Sequence, residues 1–268
     1  MPTKLLFIDT NILLDFYRTR TDAGRSLLRH LDAISDKIVT TYQVEMEFKK
    51  NRQHAILESF KSLKAPEKVS RPGILSDHTS FKALEKDIAE ASRRIGILKD
   101  TMRRVFRDPV RSDPVFQVCQ RVFKKTDAIT LTRESPERRK IKRLALRRFL
   151  LGYPPRKKND TSTGDAINWE WIVEVANSQK ADIHIVSRDS DYGVELEKDA
   201  YVNDWLQAEF RDRVSHKRAL TLSPRLSEIL GEFKVPVSEE EKAEEEELIK
   251  SGREETAVHE ITIEDLLR

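Results

Sequence analysis

Residues 7–15 read FIDTNILLD, and the fold turns on how Asp9-Thr10-Asn11 sits within them. Leu5 to Ile8 is a short apolar run, and Ile12-Leu13-Leu14 resumes that character with no Gly or Pro between. This pattern predicts a brief buried strand at about 4–9 and a helix directly behind it. An acid is thereby pinned at the carboxyl end of a strand. In open α/β sheets that edge is where ligands and reacting groups gather. Asp9 equally suits the N-cap of the following helix, where its side chain accepts from free backbone N–H groups. Both roles stay open on these residues alone.

Working outward, apolar runs bounded by turn residues predict further strands at about 37–40, 182–187 and 218–222. Helical periodicity fills most of the rest, including about 22–35, 42–63, 79–107, 114–125, 135–151, 163–178, 200–211 and 224–233. Strands separated by helices imply an α/β fold with a parallel sheet. Pro66 and Pro72-Gly73 open a run, ended by Pro154-Pro155, in which no strand is predicted. Residues 66–155 are therefore expected to be a large helical insertion within a unit spanning 1–233, followed by an acidic tail at 234–268.

The composition agrees. In 268 residues, 38% are hydrophobic and 35% charged, so much of the chain must be solvated helix. Eight Gly and ten Pro are too few for a turn-dense sandwich or barrel. The lone Cys119 excludes an intramolecular disulfide and a cysteine zinc cluster. No signal peptide and no membrane-spanning run is evident, so a soluble cytoplasmic protein without membrane association is expected.

The net charge of +3 conceals two opposed regions. Residues 121–160 carry 14 Lys or Arg against 4 Asp or Glu, whereas residues 237–268 carry 4 against 12. The helix in SPERRKIKRLALRRFLLGY (135–153) either attracts phosphates or is a solvated face with Ile141, Leu144, Leu146, Phe149 and Leu150 on the core. The acidic tail EEEKAEEEE (239–247) is expected as an exposed helix or a partly disordered segment, and it could cover the basic surface or bind a partner.

Three more segments place acids at comparable positions. KIVTTYQVEMEFKKNR (37–52) puts Glu45 and Glu47 in the first turns of a helix whose Val44 and Phe48 face inward. GDAINWEWI (164–172) puts Asp165 in a first helical turn behind Gly164, which permits close backbone approach. An acid there also suits the helix dipole, so that plain reading stands beside the functional one. IHIVSRDSDYG (183–193) ends an apolar strand at Ser187 and follows it with Asp189 and Asp191, in what is by itself an ordinary Asp-rich turn. Carboxylates gathered at one sheet edge would repel one another and raise their own pKa values. A hard divalent cation, Mg²⁺ or Mn²⁺, would relieve that repulsion, and such sites promote phosphodiester hydrolysis.

The four segments FIDTNILLDFYR, VTTYQVEMEFKKNR, GDAINWEWI and IVSRDSDYG, in this order, resemble the acidic motifs of the PIN domain nucleases. The likeness is to a larger bacterial PIN-like branch with a helical insertion between the second and third motifs. It implies a three-layer α/β/α fold, a site for Mg²⁺ or Mn²⁺, and cleavage of single-stranded or structured RNA, with DNA as a second candidate. It assigns Asp9, Glu47, Asp165 and Asp189 as catalytic and metal-binding acids, Glu47 in preference to Glu45, with Asp191 as an extra ligand. Asn11 and Ser187 would support the cluster, and water would attack with no covalent protein intermediate. Arg156, Lys157 and Lys158 are candidates for gripping the strand, with Arg52 and the basic helix guiding the rest, although Arg52 also suits a surface salt bridge. Bacterial relatives suggest a toxin or defence effector, held silent by an antitoxin or other inhibitory partner; a homo-oligomer is also compatible. The alternative is a PIN fold that binds RNA or protein without cutting. A dinucleotide-binding enzyme is excluded because no Gly-rich turn follows the first strand, and an aspartyl phosphatase because Asn11 stands where a second acid is needed. No nucleophile elbow for a serine or cysteine hydrolase is present.

Overall fold

β1 (Thr3–Ile8) lies at the centre of the molecule, with Leu5, Leu6, Phe7 and Ile8 all buried on its two faces. Each such side chain contributes about 1.5–3 kcal/mol when fully removed from water, which makes this short strand an anchor. The computed structural model describes residues 2–19, 21–75, 77–156, 162–197 and 199–266, with side chains described to Gly252. After β1 come α1 (Thr10–Asp15), α2 (Asp22–Ala33), β2 (Ile38–Thr41), α3 (Tyr42–Ser62) and α4 (Thr79–Arg107). The one-turn α5 (Pro109–Ser112) leads to α6 (Pro114–Phe123), β3 (Thr130–Leu131), α7 (Arg138–Leu151), α8 (Gly164–Gln179) and β4 (Ala181–Val186). The chain closes with β5 (Gly193–Leu196), β6 (Asp199–Val202), α9 (Asp204–Arg213), β7 (Leu220–Ser223), α10 (Leu226–Glu232) and α11 (Glu239–Leu266).

Five strands form one parallel sheet in the order β3-β2-β1-β4-β7, with helices on both faces: the expected three-layer α/β/α architecture. The chain moves from β1 outward through β2 to β3, then returns to the other side of β1 with β4. The order thus reverses between β1 and β4, and at such a switch point the following loops diverge and leave a crevice.

The middle of the chain corrects the sequence reading in two ways. Thr130-Leu131 is a strand, pairing with Thr40-Thr41 and pinned by the Trp171 indole donating to the Ile129 carbonyl at 3.0 Å. Two residues are too few for a period to register. The expected insertion is also of two kinds. In the 29-residue α4 only Phe81 is buried, whereas α6 sends Val115, Val118, Cys119, Val122 and Phe123 into the common core, and α7 sends Ile141 and Ala145. The apolar side expected for α7 is buried only in part: Ile141 is buried, and Leu144 and Phe149 are half-buried. Leu146 and Leu150 are exposed, and the buried face is Ile141, Ala145 and Arg148, because Arg148 enters an ion network.

Two further expectations are revised. The helix expected from residue 200 begins at Asp204, and before it β5 and β6 form an antiparallel hairpin. A Cβ on Gly193 would lie 2.0 Å from the Tyr201 carbonyl oxygen, so the hairpin closes only on glycine. The acidic tail is helical, yet Glu241, Glu244 and Glu245 are buried. Glu244 accepts from the Thr21 hydroxyl at 2.8 Å beside the start of α2, and Glu245 accepts from the backbone of Leu226 and Ser227, at 2.6 and 2.9 Å, at the start of α10. Carboxylates are favoured at helix N-termini, and two of them tie α11 to the body. Among the described residues no helix is long and apolar enough to cross a membrane.

Candidate active site

Asp9 ends β1 at the switch point and is buried. Its backbone N–H still bonds Val186 of β4 at 2.9 Å, while its side chain has turned to cap α1, Oδ1 accepting from Thr10 N at 2.6 Å. The capping reading therefore holds, and it does not exhaust the residue. Oδ2 accepts from the Ser187 hydroxyl at 2.6 Å and from Asn11 Nδ2 at 3.4 Å. Ser187 in turn accepts from the Asp189 N–H at 3.1 Å, so one hydroxyl joins the ends of β1 and β4.

Glu47 reaches the same place from α3. Thr41 at the end of β2 caps that helix, accepting from the N–H groups of Gln43 and Val44 at 3.2 Å each, and so fixes where its first turns point. Glu47 Oε2 accepts from Thr10 Oγ1 at 3.2 Å and Oε1 from Gln43 Nε2 at 2.8 Å. Glu45 pairs with Lys49 instead. α8 arrives alongside. A Cβ on Gly164 would stand 2.5 Å from Glu47 Oε1 and 2.8 Å from Gln43 Nε2, so any side chain just before Asp165 would push the ends of Glu47 and Gln43 out of place.

The electrostatics join the four acids. Asp9 is pushed up to about 7, chiefly by burial, then by the charge of Asp189 and less by Glu47, against the lowering effect of the Ser187 and Thr10 hydrogen bonds. The buried Tyr192 phenol is held well above its ordinary value by burial and then by Asp165, Asp9, Glu47 and Asp189. Acids from four elements thus act on one buried phenol. Asp191 is buried in the turn before Tyr192.

The donor set is entirely oxygen, the charge is strongly negative, and Asn11 Oδ1 is buried with no hydrogen-bond partner among the described residues. In chemistry these residues fit a hard divalent cation. In position they stand apart: among the described residues no three Asp, Glu, His or Cys groups converge at metal-ligating geometry.

Three residues of this region escaped the sequence reading. Thr10 and Gln43 orient Glu47, and Gln43 could have been found from its i, i+4 spacing to that acid. Tyr192 underlies the cluster and had no local signal. Arg52 is corrected outright. It is buried, its guanidinium bound to Asp113 at 2.6 Å, to the Tyr17 hydroxyl at 3.1 Å and to the Val105 carbonyl at 2.8 Å, which leaves it neither on the surface nor open to a nucleic acid. Arg156 is exposed but folds back over Phe149, 4.4 Å from the ring centroid, donating to that residue's carbonyl at 3.0 Å. Lys157 and Lys158 lie outside the described residues.

A family model described as a PIN domain matches residues 6–192, a span that begins within β1 and ends just past the last of these acids. No curated protein and no solved structure matched the chain.

Proposed function

Because the chain belongs to the PIN domain family, a fold of nucleases, we propose that it is a metal-dependent endoribonuclease that hydrolyses RNA phosphodiester bonds, with Asp9, Glu47, Asp165 and Asp189 as the acids that hold Mg²⁺ or Mn²⁺ and Asp191 beside them. The observation that carries this reading is Asp9: a buried carboxyl at the switch point, raised to about 7 by burial and by neighbouring acids. A group so placed costs stability when ionised, unless a cation offsets it. Bound there, the metal would supply electrophilic stabilisation of charge on the phosphate and a more acidic water. The chain's own part is orientation. Thr10 and Ser187 fix the two oxygens of Asp9, and Thr10 and Gln43 fix those of Glu47, so neither carboxylate must be ordered on binding. A role as a bacterial toxin or defence effector, silenced by a protein partner, rests on the resemblance of the motifs alone.

A second reading, a PIN fold that binds RNA or protein without cutting, is favoured by the spread of the acids short of ligating geometry. One experiment separates the two: incubation of labelled single-stranded RNA and DNA with the protein in Mn²⁺, in Mg²⁺ and in EDTA, beside Asp9→Asn. Cleavage that needs metal and is lost in Asp9→Asn supports the nuclease, and the faster substrate identifies its nucleic acid. Binding without cleavage by both proteins supports the silent module.

A further inference from the structure

The sheet edge that carries Asp9 carries a pocket of opposite charge two strands away. The pairings of Leu6 with Ile38 and Phe7 with Val39 set Asp9 level with Thr41, and Thr41 pairs with Leu131. β3 therefore ends in line with β1. Neighbouring strands are about 4.8 Å apart, so the two ends are separated by roughly 10 Å. Beyond Leu131 the chain turns, with Thr132 N donating to Ser135 Oγ at 2.8 Å, and enters α7. This turn and the start of the helix line an open cavity of about 570 Å³ formed by Arg133, Ser135, Pro136, Arg138, Arg139 and Lys142.

Among the described residues no carboxylate pairs with any of these four cations. Lys140 on the same helix makes the contrast, since both oxygens of Glu174 hold it at 2.9 and 2.7 Å. Arg138 lies 5.2 Å from the ring centroid of Tyr42, the first residue of the helix that bears Glu47. Its Nε is buried with no hydrogen-bond acceptor among the described residues. A solvated basic face would spread its charges and leave its donors to water; here they converge on one concavity and a donor is withheld from water. Guanidinium groups without a carboxylate partner, grouped in this way, match the geometry of a phosphate.

We propose that this pocket binds a phosphate of the nucleic acid that the acidic site holds, an inference that rests on the nuclease reading for its substrate class. With the two strand ends roughly 10 Å apart, that phosphate lies a short way along the strand from the scissile bond. The shared chemistry is a phosphate group, whether an internal phosphodiester or a terminal monophosphate.

The test is binding in EDTA, where nothing is cut, using a fluorescent ten-nucleotide RNA with a 5′-phosphate or a 5′-hydroxyl and a series of salt concentrations. The proteins are the wild type, Arg133→Ala/Arg139→Ala, and Arg211→Ala, an exposed arginine of α9, outside the basic helix, that serves as the charge control. Arg133 and Arg139 are exposed, so the double variant should keep its fold, checked by its melting temperature. The double variant should bind about tenfold more weakly and flatten the plot of log affinity against log salt by about 0.7 for each phosphate it no longer neutralises, while Arg211→Ala stays within about twofold of wild type. An equal loss for both RNAs marks an internal phosphate; loss confined to the 5′-phosphorylated RNA marks a terminal one. The proposal is overturned if the double variant keeps wild-type affinity and slope, if Arg211→Ala loses as much, or if the wild type binds neither RNA. A protein that binds in this way yet never cuts would uphold the pocket and sink the nuclease, and one that cuts while the double variant binds normally would do the reverse.

Discussion

α8 contributes to two clusters of charge that are built on opposite terms. Near its middle, Glu170 accepts from Arg148 Nε at 2.9 Å and from Arg213 Nη2 at 2.7 Å. Glu209 accepts from Arg213 at 2.7 Å and from the Trp169 indole at 3.0 Å, and it also pairs with Arg148, which donates in addition to the Pro154 carbonyl. Two guanidinium groups meet two carboxylates. At the first turn of the same helix, Asp165 joins Asp9, Glu47 and Asp189, and the partners of Asp9 and Glu47 are hydroxyls and amides. The first cluster is complete within the chain and ties α7, α8 and α9 to the loop before Asp165. In the second, Asp9 and Glu47 are oriented by neutral groups, and Asp9 has like charge beside it. Opposite charges paired within the chain make a structural network, and like charges near a sheet crevice are what the proposed site would use.

The sharpest way to separate the clusters is to remove one acid from each. Asp9→Asn should reduce metal-dependent cleavage by at least about a thousandfold, the loss of several kcal/mol of charge stabilisation, while the melting temperature in EDTA holds or rises. Glu170→Ala should do the opposite to stability. Leaving Arg148 and Arg213 without their carboxylate costs about 3–5 kcal/mol, a fall in Tm on the order of 10 °C by calorimetry. If Asp9→Asn were as destabilising as Glu170→Ala, the two clusters would not differ in kind.

A pH titration of stability probes the acidic cluster alone. The Asp9 carboxyl titrates at about 7 in the fold against 3.8 unfolded, so the folded chain binds the extra proton between those values. The stability this contributes is complete below about pH 4 and is lost as pH rises through 7, up to about 4 kcal/mol in the absence of divalent ions. In urea melts with EDTA, the wild type should lose stability relative to Asp9→Asn between about pH 4 and pH 7. Parallel curves would show that Asp9 titrates normally. The smallest effect concerns the hydroxyl between the strands: Ser187→Ala removes a hydrogen bond to a charged group, worth about 1.5–3 kcal/mol in the ionised state, and should shift the Asp9 titration upward and slow cleavage about tenfold or more. An unchanged pH profile would mean that Ser187 does not hold the carboxylate.

What could be read along the chain was whatever a single segment carries. The apolar run before Asp9, the i, i+4 pair Val44 and Phe48, and the glycine before Asp165 each have a local physical cause, and each is found where that cause places it. What could not be read was whatever depends on a neighbour from elsewhere. Arg52 looks like any helical arginine until Asp113, Tyr17 and Val105 close around it. Leu146 and Leu150 look like core until Arg148 claims the inward face of α7. The tail glutamates look solvated until two helix N-termini meet them. β3 is too short to announce itself without the paired edge of β2.

The sequence by itself determined the alternation of strands and helices and the position of each acid just past a strand or at a helix start, because periodicity and end preferences act over a few residues. Only the tertiary structure decided that β1 and β4 meet at the reversal of strand order, that Ser187 bridges them, and that Asp9 is buried beside Asp189 and Glu47. Desolvation and Coulomb repulsion depend on distance in space, and residues 9, 47, 165 and 189 become neighbours only when the sheet forms.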